Sequence, residues 1–250
     1  SRIASENAAL VAERGTLQEE VEDKARALMA VSDELDQIEM LIGLQPEPEQ
    51  PLVQRLDTAS QTALEKRLML ETIPSGSPVE NQIVTSNFGM RQHPIKQRSA
   101  MHGGVDLRAP RGTPVHATAS GVVEWASEHK NSGLGNMVKV VHNHGFSTIF
   151  GHLDRIEVDV GNYVERGDLL GYSGNTGVSE APHLHYEVRY LQRRLDPGPF
   201  LEWSLEDYDV LFAKEDRIQW ESLAKVIRRT ASVPERPSLQ QAQSWSATLP

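Results

Sequence analysis

From Ser1 to about Leu44 the apolar residues fall on two interleaved registers, Ile3, Leu10, Leu17, Val31 and Ile38 on one and Val21, Leu28, Leu35 and Ile42 on the other. Alternating steps of three and four form the seam of a coiled coil, so this stretch is predicted to be one long helix. Asn7, Arg14 and Lys24 interrupt the seam. Polar residues there weaken a coiled coil while setting its register or partner number, and the competing reading is a solvated helix packed on its own domain. Gly43, Pro46, Pro48 and Pro51 end the helix, because proline lacks the helical N–H and restricts the residue before it. A second apolar series at Leu52, Leu56, Ala59, Ala63 and Leu70 predicts another helix, which either folds back as a hairpin or runs on. Residues 1–72 are thus expected to be a helical region hinged at 46–51.

From about Ser77 the period shortens. Gly121 to Val123, Met137 to Val141, Ser147 to Phe150 and His185 to Tyr190 are strand-sized and rich in β-branched and aromatic residues. Turn residues separate them, as at Gly133-Leu134-Gly135, Gly161-Asn162 and Gly174-Asn175-Thr176-Gly177. An antiparallel all-β core over 77–200 follows. Residues 201–250 read as an acidic segment, a helix from about Leu211 to Arg229 with apolar Ile218, Leu223, Val226 and Ile227, and a loose Ser/Gln/Pro-rich tail from Ser232. The fold class is α+β: an all-β antiparallel core preceded by a helical, coiled-coil-like region and followed by a C-terminal helix.

At 250 residues, 38% apolar and 24% charged, the chain has the composition of a globular protein. A formal net charge of −10 argues against nucleic acid as a partner, since binding it relies on phosphate neutralisation. Cysteine is absent, so any metal must be held by histidines and carboxylates. The sequence holds no apolar run long enough for a membrane span. Because it opens at Ser1, without Met and already in a helical pattern, we expect a preceding segment carrying a signal or membrane anchor.

His102, Asp106, His152, His183 and His185 are the candidate chemical residues. Nitrogen and oxygen donors suit Zn²⁺, which in catalytic sites takes three protein ligands and a water. In His102-Gly103-Gly104-Val105-Asp106 the glycines are expected to free the backbone and to leave space near it, so that the flanking His and Asp converge. A surface His followed by an unrelated Asp is the plainer alternative. His183 and His185, two apart on a strand, project to one face with Glu187, while Leu184 points the other way. There Glu187 is placed to receive a ring N–H from behind the metal. His152 ends an apolar strand after Gly151 and has no local claim to chemistry. His116, His129, His142 and His144 have no carboxylate at ligand spacing and read as structural or solvent-facing.

These segments resemble the LytM- or lysostaphin-type zinc endopeptidases of bacterial cell walls. The resemblance runs from about Ile83 to Arg189, through Thr85-Ser86-Asn87-Phe88-Gly89, Arg91-Gln92-His93-Pro94, His102 to Asp106, and Gly112-Thr113-Pro114-Val115. It continues with Gly151-His152-Leu153, Gly167-Asp168, Gly174 to Gly177 and Pro182-His183-Leu184-His185-Tyr186-Glu187-Val188.

The resemblance implies a LytM-type β core, like a duplicated hybrid motif, and one Zn²⁺ per chain. Its ligands would be His102, Asp106 and His185, with His152 and His183 acting on the water and the tetrahedral intermediate. His93 would line the cleft. The substrate would be a peptide cross-link or stem peptide of peptidoglycan, in the periplasm or otherwise outside the cytoplasmic membrane. From its heptad seam and Pro-rich hinge, and not from the resemblance, the helical region is expected to form a coiled-coil homodimer, dock an envelope protein or lie over the cleft, and contact with the membrane would come only through the preceding segment. Two other functional classes compete: an inactive LytM-type scaffold that activates another wall hydrolase, and a lipoyl- or biotinyl-type carrier offering Lys139. The retained ligand set argues against both.

Overall fold

The computed structural model describes residues 2–92 and 99–231, and two compact units emerge, divided between Ala63 and Leu64. His93 and the tail from Ser232 lie outside the described residues.

The first unit is helical. Helix α1 (Arg2–Leu41) ends where Gly43 takes φ 75°; the Gly43 and Leu44 amides then reach back to the carbonyls of Met40 and Glu39. This pattern satisfies the last carbonyls of a helix and needs a residue free to adopt positive φ. Helix α2 (Leu52–Thr72) follows, and its first turns fold back on α1. Leu35, Ile42 and Ala59 bury one another, flanked by Leu44, Leu52 and Ala63. Beside them the Arg55 guanidinium donates to Glu39, Asp36 and Ser32. The choice the sequence left open is therefore settled as a hairpin over this stretch. Leu10, Leu17, Val21, Leu28, Val31 and Ile38 remain exposed.

The second unit is a β-domain. Its strands are β1 (Val84–Ser86), β2 (Gly89–Gln92), β3 (Ser99–His102), β4 (Val105–Leu107), β5 (Pro114–His116) and β6 (Gly121–His129). Then come β7 (Gly135–His142), β8 (Phe146–Ile156), β9 (Tyr163–Val164), β10 (Leu169–Ser173), β11 (Leu184–Tyr190) and β12 (Arg193–Leu195). Every pairing among the described strands is antiparallel. The main sheet runs β1-β4-β11-β8-β7-β6-β9, with β12 on β11 and the β5-β10 pair joined through β8; β2 and β3 form a separate ribbon.

Alternation along β11 sets the layers. Leu184, Tyr186 and Val188 are fully buried in the core, with Leu107, Val138, Val140, Phe150 and Leu153. The intervening His185, Glu187 and Arg189 take the other face, as period-two geometry requires. Met69 and Ile73, from the end of α2, belong to this same core.

After β12 come α3 (Gly198–Glu202), α4 (Val210–Lys214) and α5 (Trp220–Ala231). The single helix expected from Leu211 to Arg229 is therefore two. Between them the Glu215 carboxylate binds the Arg217 amide and guanidinium, and the Glu215 carbonyl accepts from the Trp220 indole. These local bonds replace helical ones and break the helix.

Candidate metal centre

Strand pairing builds the site. His185 on β11 lies directly opposite Asp106 on β4, so their side chains share a face at cross-strand distance. His102 ends β3, and the Gly103-Gly104 bend returns the chain into β4. Neither glycine has a positive φ, so the expected backbone freedom is not what the motif uses. It uses space. A Cβ on Gly104 would lie 2.2 Å from the Tyr186 carbonyl oxygen, and one on Gly103 2.6 Å from Arg194 Nε and 2.9 Å from Glu187 Oε1.

Three buried donor atoms consequently meet. Asp106 Oδ1 lies 3.1 Å from His102 Nε2 and 3.0 Å from His185 Nδ1, and the two nitrogens are 3.2 Å apart. Among the described residues these three form the group of His, Asp and Glu side chains able to hold a metal ion.

The outer nitrogens are already committed. His102 Nδ1 lies 2.7 Å from the Asn87 carbonyl oxygen, which can only accept, so that nitrogen carries a proton. His185 Nε2 faces Glu187 Oε1 at 3.2 Å and likewise donates. With both rings neutral, the inner nitrogens present lone pairs to each other and to a carboxylate oxygen. A cation, or additional protons, must fill that centre.

The titration behaviour follows from this crowding. Burial pushes the Asp106 carboxyl up, but the imidazoles of His102, His183 and His185, which donate to it whenever the nitrogen facing it carries a proton, outweigh burial and hold the group far below the usual carboxylate range. For His185, burial disfavours the charged ring, yet Asp106 and Glu187 together raise its pKa. Glu187, also opposed by burial, is brought down to about 2 by His185 and Arg189.

His152 and His183 stand beside the triangle, their ring centroids 4.7 Å apart. His183 Nδ1 donates to the Ala181 carbonyl at 2.8 Å, and its Nε2 lies 3.5 Å from Asp106 Oδ1. Burial lowers its pKa, but Asp106 and that carbonyl override it and raise the value. His152 shifts the opposite way: burial, helped by the charges of His183 and His185, holds it at about 4 despite the Thr176 carbonyl and Asp106.

The route by which His152 reaches the site is not legible in its alternation. Gly151 pairs with His185, so a regular strand would turn His152 to the opposite, core side. Instead β8 carries an extra residue against β7 between Phe150 and Leu153, and His152 takes φ 62°. Such a bulge re-aims a side chain. The His152 amide donates to the Leu134 carbonyl and its Nδ1 to the Thr176 carbonyl, each at 2.7 Å.

The five residues border a cleft of about 1040 Å³, whose walls include Thr85, Arg108, Lys130, Leu134 and Val178. The remaining described histidines lie elsewhere: His142 is buried between the Ser120 carbonyl and Thr148, and His116 binds the Gly167 carbonyl. Asn87, Thr176, Arg189 and Arg194 were not singled out from sequence. Asn87 and Thr176 hold the histidines through main-chain carbonyls, which residue type does not reveal; their signal was membership of the motifs at 85–89 and 174–177.

Residues 100–197 match the family model of Peptidase family M23. Over that stretch the chain resembles peptidase family M23. The chain is 40% identical over 114 residues to the DD-carboxypeptidase/endopeptidase Mpg of Neisseria meningitidis, a match covering 46% of this chain and 26% of that protein. It is 42% identical over 106 residues to the peptidoglycan DD-endopeptidase ShyA of Vibrio cholerae, covering 42% of this chain and 24% of that one. The match thus spans about a quarter of the length of these curated relatives. Among solved structures, the catalytic domain of lysostaphin from Staphylococcus simulans is 35% identical, with 49% of this chain and 94% of that one covered and a TM-score of 0.46. No described helix of the chain is long and apolar enough to cross a membrane.

Proposed function

We propose that the chain is a zinc-dependent endopeptidase that hydrolyses peptide cross-links or stem peptides of peptidoglycan, outside the cytoplasmic membrane. The observation that carries this reading is the triangle of inward lone pairs at His102, Asp106 and His185, with both imidazoles anchored from behind. Donors on tetrahedral zinc, with bonds of about 2.0–2.1 Å, stand about 3.3 to 3.4 Å apart. The separations of 3.0–3.2 Å fit that spacing with a slight outward relaxation. A bound zinc supplies a Lewis acid for the scissile carbonyl and brings the pKa of its water to about 7.

The chain's own residues supply the rest. His152, held neutral with Nδ1–H on the Thr176 carbonyl, presents Nε2 as the acceptor for the proton of the attacking water. His183, whose pKa is raised by Asp106, is the donor to the developing oxyanion and the leaving amine. Two imidazoles driven in opposite directions by their surroundings are suited to acid and base roles. The complete donor set favours catalysis over the inactive scaffold.

The names of the M23 relatives support peptidoglycan as the substrate. Digestion of chemically defined peptidoglycan fragments, with mass analysis of the products, tests the proposal. New amine and carboxyl termini at a peptide bond are expected with zinc, and none with chelator; intact fragments under both conditions would leave the scaffold reading. The exposed seam of α1 is proposed to pair with a second copy or an envelope protein, and sedimentation of the chain distinguishes a dimer from a monomer.

A further inference from the structure

We propose that Glu187 is the positioning residue that sets the tautomer of His185, and that Gly103 lacks a side chain to leave room for it and for Arg194. This rests on the zinc reading of the site.

The Glu187 side chain is 4% exposed. A carboxylate so buried is costly unless fully partnered, and each of its oxygens has an assigned role. Oε1 receives the His185 Nε2 proton at 3.2 Å. Oε2 is held by Arg189, at 2.8 Å from Nε and 2.6 Å from Nη2, with Arg194 Nε at 3.5 Å. The arginines thereby fix the carboxylate, and the carboxylate fixes the ring. The proton stays on Nε2, and the Nδ1 lone pair is aimed at Asp106 and His102.

Gly103 belongs to the same device. A Cβ on Gly103 would clash with Arg194 and Glu187 Oε1, whereas one on Gly104 would meet the Tyr186 carbonyl oxygen first, at 2.2 Å, and Glu187 Cγ at 2.9 Å. The His102-to-Asp106 loop therefore lies against the groups that orient the third ligand. This gives Gly103 a role that backbone conformation does not explain.

Glu187→Gln discriminates this from a plain buried ion pair. Its amide has one acceptor, which the guanidinium groups claim, so the NH₂ turns to His185. Nε2 must then accept, and the proton moves to Nδ1. The expected result is zinc affinity weakened on the order of 10–100-fold, measured by competition with a chromophoric chelator. Ring ¹⁵N shifts of His185 should report a protonated Nδ1, while the circular dichroism of the metal-free chain stays parental. Gly103→Ala, which displaces the same carboxylate by contact, should weaken zinc similarly and carries the test if Glu187→Gln does not fold. Parental affinity and tautomer in folded Glu187→Gln, or parental affinity in Gly103→Ala, overturns this inference alone. Absence of zinc binding by the parent chain overturns it together with the zinc reading.

Discussion

His152 Nδ1 lies 2.7 Å from the carbonyl oxygen of Thr176, and that bond anchors the ring of a histidine that its strand's alternation would have turned into the core. Thr176 is itself fixed, its hydroxyl donating to the Leu153 carbonyl and accepting from the Asn136 amide. His152→Ala should keep zinc and lose hydrolysis by on the order of 10²-fold or more. Thr176→Val leaves the Asn136 amide without its partner and should cost about 1–3 kcal/mol in urea unfolding. A His152→Ala chain that loses zinc would reassign the residue to the ligands.

Removing a corner of the triangle has a different signature. His102→Ala, Asp106→Ala and His185→Ala should each lose both zinc and activity, whereas His183→Ala should lose activity alone. Because a ligand bound only by the folded state raises stability, added zinc should raise the Tm of the parent but not of the three corner variants. Metal content of purified protein, read with thermal melts, checks both halves.

His142 makes stability pH-dependent away from the cleft. Burial lowers its pKa to about 4 despite the Ser120 carbonyl, against about 6.5 in an unfolded chain. Between those values the unfolded chain binds a proton that the folded one does not, so stability falls as pH drops through this window and is complete above it. The contribution is about 3 kcal/mol. Urea titrations from pH 7.5 to 4.5 should give a shallower pH slope for His142→Gln than for the parent; equal slopes would reject this account.

In the helical hairpin, Arg55 and Glu39 are buried partners, at 3% and 4% exposure. Arg55→Ala strands the Glu39 carboxylate, whereas Arg55→Met with Glu39→Leu removes both charges. Helicity measured during thermal melting should fall for the single variant and recover in the double. A single variant that melts like the parent would mean the pair contributes nothing.

Much of this was legible in one sequence, because it is periodic. The interleaved seam marked α1, and Gly43 with the prolines marked its end. Period two in Leu184 to Val188 placed His185 and Glu187 on the face opposite Leu184 and Tyr186. The motif order indicated the family. Peptidoglycan and the assignment of roles came through that resemblance and stand as proposals.

Alternation, spacing and residue type, set by bonding along a single strand or helix, were what the sequence by itself determined. Tertiary structure decided what depends on residues far apart in the chain. It set the register that seats Asp106 opposite His185 and the extra residue in β8 that turns His152 into the cleft. It also supplied the Asn87 and Thr176 carbonyls that hold two rings, and the groups that fill the space over the two glycines, Glu187 with Arg194 over Gly103 and the Tyr186 carbonyl over Gly104. Those interactions use main-chain atoms or absent side chains, which leave no trace in a pattern of apolar and polar positions until the strands are paired.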